Sequence, residues 1–334
     1  MRRPIFTAIL LGAGMALAAA LFVICPAAAG IEAQAVRPNG GPQATTLPLK
    51  PNSVRFAVIG DSGTGSPVQY ELGQEMQKVH QTSDFGFVIM LGDNLYGGHS
   101  AGDFESKFER PYKPLLDEGV QFYATLGNHD NANETSYARF NMNGKRYYTF
   151  TRGNVEFFVL DSNYMNGPQL EWLRDELQKS TTEWKIAYFH HPIYSGGKRH
   201  GADTDLRAVL EPLFKKYKVN VVLSGHDHVY ERIVPQSNIV YFVLGNSGQL
   251  RSGGLEKEAE EAAGFDTDRC FMVMEVAGSE LYFQTISRTG TIVDSGVVKH
   301  QSEAAGGAGA PAEPAVKAAN NNHQGVTSPK QPQQ

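Results

Sequence analysis

Five short polar clusters carry the residue types that bind metal ions. They are Gly60-Asp61-Ser62-Gly63, Gly92-Asp93-Asn94-Leu95-Tyr96, Gly127-Asn128-His129-Asp130, His190-His191-Pro192 and Gly225-His226-Asp227-His228. Together they offer carboxylates, an amide oxygen, imidazoles and a phenol, and none offers a thiol. Oxygen and imidazole donors without thiolate suit Fe, Mn, Zn or Mg rather than a structural cysteine–zinc site. Asp61, Asp93, Asn128, His190, His226 and His228 are too many ligands for one ion. Two ions roughly 3.5–4 Å apart, bridged by a carboxylate, would steady both the attacking and the leaving oxygen of a phosphoester under hydrolysis.

Each cluster closes an apolar run: 54–59, 85–91, 120–126, 185–189 and 219–223. Taken singly, the clusters have ordinary explanations. Gly-Asp after a strand is common turn chemistry, and Asn-His-Asp can cap a helix. Five of them at strand ends form one pattern. Helical periodicity over 68–80, 169–179 and 205–217 separates several of the runs. Strands alternating with helices predict a mostly parallel α/β core, and such sheets bind ligands beyond the carboxyl ends of their strands. Further strands are predicted over 147–151, 155–161, 239–244, 271–276, 281–286 and 292–297. They suggest a second sheet packed on the first, with helices outside.

The ends of the 334-residue chain have a different composition. Arg2 and Arg3 precede an uncharged apolar stretch from 4 to 30 that ends in Ala27-Ala28-Ala29. Residues 1–29 are therefore expected to be an export signal, cleaved after the small residues. An uncleaved membrane anchor is the alternative, because the run exceeds the ~18 residues that span a bilayer. Export would place the protein in a periplasm or outside the cell. Residues 30–52 read as a flexible leader, 53–300 as one folded domain, and 301–334 as a low-complexity tail without core-forming residues. The net charge of −5 weighs against nucleic acid as a partner, and against a membrane surface unless the signal stays in place. Of the two cysteines, Cys25 lies in the signal, so Cys270 has no partner for a disulfide and reads as a buried strand residue.

The five blocks together resemble the calcineurin-like metallophosphoesterase superfamily over about residues 54 to 245. Within it they most resemble the purple acid phosphatases of the small, tartrate-resistant type. Most of the superfamily has a histidine ligand where this chain has Gly63; the purple acid phosphatases use a tyrosine in the second block, where this chain has Tyr96. The resemblance implies an αββα sandwich of two packed mixed β-sheets. It implies one ion held by Asp61, Tyr96 and His228, a second held by Asn128, His190 and His226, and Asp93 bridging them. A phenolate ligand favours Fe(III) in site one, with Fe(II), Zn or Mn in site two. His129 is implied as the group that protonates the leaving oxygen or holds the phosphate, Asp130 as its orienting partner, and His200 as a further substrate-facing histidine. His191 would play a supporting part at most.

The activity implied is hydrolysis of small phosphate monoesters by a metal-bound hydroxide. A strong Lewis acid lowers the pKa of bound water, so an acid optimum is expected. A phosphodiesterase or nucleotidase of the same fold is the alternative, although those enzymes usually keep the histidine that Gly63 replaces. A non-enzymatic relative would usually have lost ligands, and none is missing here. Specificity is expected to lie in loops 97–107, 131–146 and 249–268.

Overall fold

The computed structural model describes residues 32–34, 44–256 and 260–300. The expected signal, most of the leader and the 301–334 tail lie outside the described residues. The folded part is two seven-stranded sheets. The first holds parallel strands β2 (Val54–Ile59), β3 (Phe87–Met90) and β4 (Gln121–Ala124). It continues antiparallel through β12 (Cys270–Ala277), β13 (Glu280–Ser287) and β14 (Ile292–Lys299) to a short edge strand, β1 (Glu32–Gln34).

The second sheet runs β11-β9-β10-β8-β7-β6-β5. Its members are β5 (Tyr148–Arg152), β6 (Val155–Val159), β7 (Trp184–Tyr188), β8 (Val221–Ser224), β9 (Tyr230–Ile233), β10 (Val240–Leu244) and β11 (Glu261–Phe265). Strands β6, β7, β8 and β10 are parallel, and the rest are antiparallel. Both sheets are thus mixed, as the resemblance implies.

The parallel strands read as unbroken apolar runs because both their faces are covered. Between the sheets, Phe56 meets Phe157 edge-on at 5.3 Å and Phe242 meets Phe283 at 5.1 Å. Outside the first sheet lies α1 (Pro67–Ser83), started by a proline whose missing N–H costs nothing there. Outside the second lie α4 (Gly167–Lys179) and α5 (Thr204–Lys216). Helix α5 buries Leu206, Leu210 and Phe214, one per turn, and the Asp203 side chain caps it by accepting from the Leu206 N–H at 2.9 Å.

Three departures from the sequence reading are physical. Residues 44–50 belong to the folded body: Glu275 accepts from the Leu49 and Lys50 amides at 2.8 and 2.7 Å, and Ser295 Oγ accepts from Thr45 N at 2.9 Å. Side chains of the sheet replace the backbone partners that the leader lacks. The 97–107 loop leads into short helices α2 (Ala101–Phe104) and α3 (Lys113–Asp117) with a wide π turn between them. Strand β9 has no apolar alternation, because its Glu231 and Arg232 are buried against specific partners.

One of those partners ties the sheets together. Arg232 on β9 donates to the Asp294 carboxylate on β14 from Nε at 2.7 Å and Nη2 at 3.2 Å, and Tyr230 Oη donates to it at 2.6 Å. Both charged groups are almost fully buried. Removing one partner of such a pair leaves the other without solvent or counter-charge. Arg232→Ala is expected to cost about 3–5 kcal/mol in chemical denaturation, and the double replacement Arg232→Met with Asp294→Leu to recover most of it. Equal losses for the single and double variants would show that shape, not charge, holds this junction.

Candidate metal centre

The five polar clusters meet at the carboxyl ends of β2, β3, β4, β7 and β8. In one group, Tyr96 Oη lies 3.1 Å from Asp61 Oδ1 and 3.2 Å from His228 Nε2, and His228 Nε2 is 3.4 Å from Asp61 Oδ1. In the other, His190 Nε2 lies 3.0 Å from Asn128 Oδ1 and 3.1 Å from His226 Nδ1. Asp93 stands between the groups, with Oδ1 3.5 Å from His190 Nε2. Asp61, Asp93 and His190 each offer a donor atom within 4.8 Å of the others. All seven expected ligands are therefore in one place.

Their protonation suits cations. His190 Nδ1 is 2.9 Å from the Leu91 carbonyl, so that nitrogen carries the proton and Nε2 points its lone pair at the centre. There it faces other lone-pair donors, an arrangement that two cations would satisfy. Burial, reinforced by the charge of Asp93, pushes the Asp61 carboxyl well above its usual range, and burial pushes Asp93 up. Burial, together with both carboxylates, holds the Tyr96 phenol protonated far past its ordinary value. Burial lowers His190 and His226 and takes His228 down to about 4. No lysine or arginine pairs with Asp61 or Asp93 among the described residues. The positive charge that would reverse these shifts must come from outside the chain, and the donor set fits two metal ions.

The backbone is strained at the same place. Asp61, Asp93 and His226 have φ of 53°, 50° and 70°, a region costly for side chains of this kind. Such strain, on the order of 1–3 kcal/mol each, clusters at functional sites. Glycine precedes four of the ligands. Of Gly60, Gly92, Gly127 and Gly225, only Gly92 takes a positive φ. What glycine gives elsewhere is close approach: a Cβ on Gly127 would sit 2.2 Å from Asp93 Oδ1, and one on Gly225 2.5 Å from Asp61 Oδ2.

Gly63 is the tightest case. A Cβ there would lie 1.8 Å from the Asn94 carbonyl oxygen. The Gly63 carbonyl accepts from the Tyr96 N–H at 2.9 Å. The first loop is pressed onto the second, and that contact brings Tyr96 to the centre. A histidine has no room at position 63.

The remaining expected residues divide. His129 is exposed at the rim, its ring 4.8 Å from that of Tyr96, and its amide donates to Asp93 Oδ1 at 2.9 Å. His200 is brought to within 4.2 Å of the His226 ring. Asp130 does not hold the His129 ring as expected. Its carboxylate accepts from the amides of Gly127 and Leu95, at 2.8 and 3.1 Å, and from Asn94 Nδ2 at 2.9 Å, so it clamps two ligand loops together. His191 packs 4.5 Å from the His226 ring and pairs with Ser162 Oγ through Nδ1 at 2.8 Å, closer to the centre than its supporting part suggests.

The sequence reading passed over Asp227. It is buried between two ligand histidines and accepts from Ser195 Oγ at 2.6 Å and from Gly201 N at 3.1 Å. It thereby fixes the loop that carries His200; its place inside His-Asp-His was the available signal. A cleft of about 580 Å³, lined by Arg146, Tyr147, Trp172 and Glu176 among others, includes none of the expected ligands in its lining. The turn Ser162–Tyr164 is tied to the third ligand loop, since Asn163 Nδ2 donates to the carbonyls of Leu126 and Gly127 at 3.2 Å each.

Comparison with known proteins agrees with this geometry. Residues 54–230 match the calcineurin-like phosphoesterase family. Purple acid phosphatase 7 of Arabidopsis thaliana is 26% identical over 280 residues, 72% of this chain and 84% of the relative. Tartrate-resistant acid phosphatase type 5 of Oryctolagus cuniculus is 25% identical over 256 residues, 64% of this chain and 78% of the relative. Among solved structures, purple acid phosphatase PPD1 of yellow lupin shares the fold with a TM-score of 0.62 at 17% identity, covering 76% of this chain and 55% of that one. GAP50, the anchor in the inner membrane complex of Plasmodium, shares it with a TM-score of 0.65 at 20% identity, covering 76% and 91%. The chain belongs to the calcineurin-like phosphoesterase family and is a metal-dependent phosphoesterase.

Proposed function

We propose that the protein is an exported phosphomonoesterase of the purple acid phosphatase kind, with Fe(III) in site one and Fe(II), Zn or Mn in site two. Asp61, Tyr96 and His228 would hold the first ion, Asn128, His190 and His226 the second, and Asp93 both. One observation carries the reading. Gly63 has no space for the ligand histidine that most of the superfamily uses, and the same packing delivers Tyr96 Oη between Asp61 and His228. Burial and two carboxylates oppose loss of the phenol proton. A ferric ion is the strong Lewis acid that would overcome them. Export is supported by the N-terminal sequence alone.

When bound, the ions would supply Lewis acidity to the phosphoryl oxygens and lower the pKa of the attacking water. The chain supplies the rest. Asp93 and Asp61 fix the centre through the backbone amides of His129 and His226, at 2.9 and 2.8 Å. His129 is exposed and its ring has no carboxylate partner among the described residues, so it would be free to protonate the leaving oxygen. His200, held by the Asp227-braced loop, would orient the phosphoryl group. The substrate in this reading is a small phosphate monoester. A binding-only role, of the kind the name of the Plasmodium relative describes, is disfavoured by the complete ligand set.

Four measurements check the reading. The iron-loaded protein should absorb in the visible, and Tyr96→Phe should lose that band; a colourless, fully active protein would remove tyrosine and iron from the account while leaving two metals. Gly63→His should fail to restore metal binding to Tyr96→Phe, because the imidazole collides with the Asn94 backbone. Hydrolysis of p-nitrophenyl phosphate should exceed that of its bis-ester, fall about a hundredfold or more in His129→Ala, and decline above neutral pH. Retention of metal should weaken progressively as the pH falls, because all three groups must be deprotonated to bind: burial pushes the Asp61 and Asp93 carboxyls up, while burial and Arg251 keep His228 neutral to lower pH.

A further inference from the structure

Among the described residues, two arginines beside the centre form no ion pair. Arg251 follows β10, and its amide donates to the carbonyl of the ligand His228 at 2.9 Å. Its Nε is shielded from solvent and makes no hydrogen bond. Arg199 lies next to His200 on the loop that Asp227 braces, is exposed, and forms no ion pair among the described residues. The two loops are stitched together. Lys198 N donates to the Gly254 carbonyl at 2.9 Å, Glu256 N donates to the Gly196 carbonyl at 2.9 Å, and Lys198 Nζ donates to the Gly253 carbonyl at 2.8 Å.

Like charges so placed need a reason. Arg199 and Arg251 repel each other enough to lower Arg251, after its burial, and both add to the lowering of His228 and His200. Among the described residues the carboxylate acting on Arg251 is Asp227, and its Oδ2 is already taken by Ser195 and Gly201. Guanidinium groups without a counter-ion in a partly desolvated place are suited to holding an anion.

We propose that Arg199 and Arg251 form a second anion subsite at the lip of the metal centre, which selects phosphate monoesters carrying another phosphate or carboxylate close to the scissile group. This rests on the phosphatase reading above. The second group would take the guanidinium groups of Arg251 and Arg199 while the first lies at the centre. Neither arginine touches the reacting phosphate, so their contribution falls on affinity for the doubly anionic ester.

The test compares 2,3-bisphosphoglycerate with glycerol 2-phosphate. Wild-type kcat/KM is expected to favour the first by at least about tenfold, mostly through KM. R199Q and R251Q should each lose about tenfold on 2,3-bisphosphoglycerate and no more than about threefold on glycerol 2-phosphate. Equal losses on both esters, or none on either, would overturn the subsite. Calorimetric titration with methylenediphosphonate and with inorganic phosphate reads the same selectivity without turnover. If the protein binds the bisphosphonate selectively but hydrolyses neither ester, the phosphatase reading falls and the subsite stands; if the variants bind both anions as wild type does, the subsite falls.

Discussion

Asp61 and Asp93 are the constraint around which this molecule is arranged. Both are buried, the charge of Asp93 adds to the cost of ionising Asp61, and no lysine or arginine among the described residues pairs with them. A lone buried carboxylate is among the least favourable groups a protein can hold. Two adjacent ones, with a phenol and three lowered histidines around them, make sense only as half of an ion site. Folding and metal loading are then one linked equilibrium: the native chain presents a preformed set of donors, and cations stabilise the state that presents it.

That requirement explains features that would otherwise be separate. Five loops from two sheets must bring their tips within a few ångströms, and backbone can approach so closely only where side chains are absent. Gly127 against Asp93, Gly225 against Asp61 and Gly63 against Asn94 are those places. The left-handed conformations of Asp61, Asp93 and His226 are the remaining cost, met by the rigid parallel strands behind them. The Arg232–Asp294 pair acts on the same problem from further away, because the ligands divide between the sheets and any slip of one on the other would separate them.

The strands that end at the centre were legible because they are covered on both faces and so read as unbroken apolar runs. Their terminal ligands were legible because several metal-binding residue types recur at the same structural place. Strand β9 was hidden because Glu231 and Arg232 look like surface residues until Gly196 and Asp294 are known to face them. The helical turns after residue 100 depend on Lys107 reaching Asp103 and the Tyr96 carbonyl, at 2.6 and 2.7 Å, and short elements held by such contacts leave no periodicity. Gly63 was read as a missing ligand. Its deeper role, as the contact that lets Tyr96 arrive, depends on an inter-loop distance that no sequence pattern encodes.

Charge is also sorted by depth. The carboxylates form the floor of the centre, while His129, His200, Arg199 and Arg251 stand at its mouth. A chain with a net charge of −5 can still draw in phosphate dianions, because the field that steers a small anion is set by the groups at the entrance rather than by the total. The floor needs cations to be stable, and the mouth needs anions. A phosphate ester bridging loaded metals and the arginine lip would satisfy both, so the same burial that makes the carboxylates costly also sets what the site can hold.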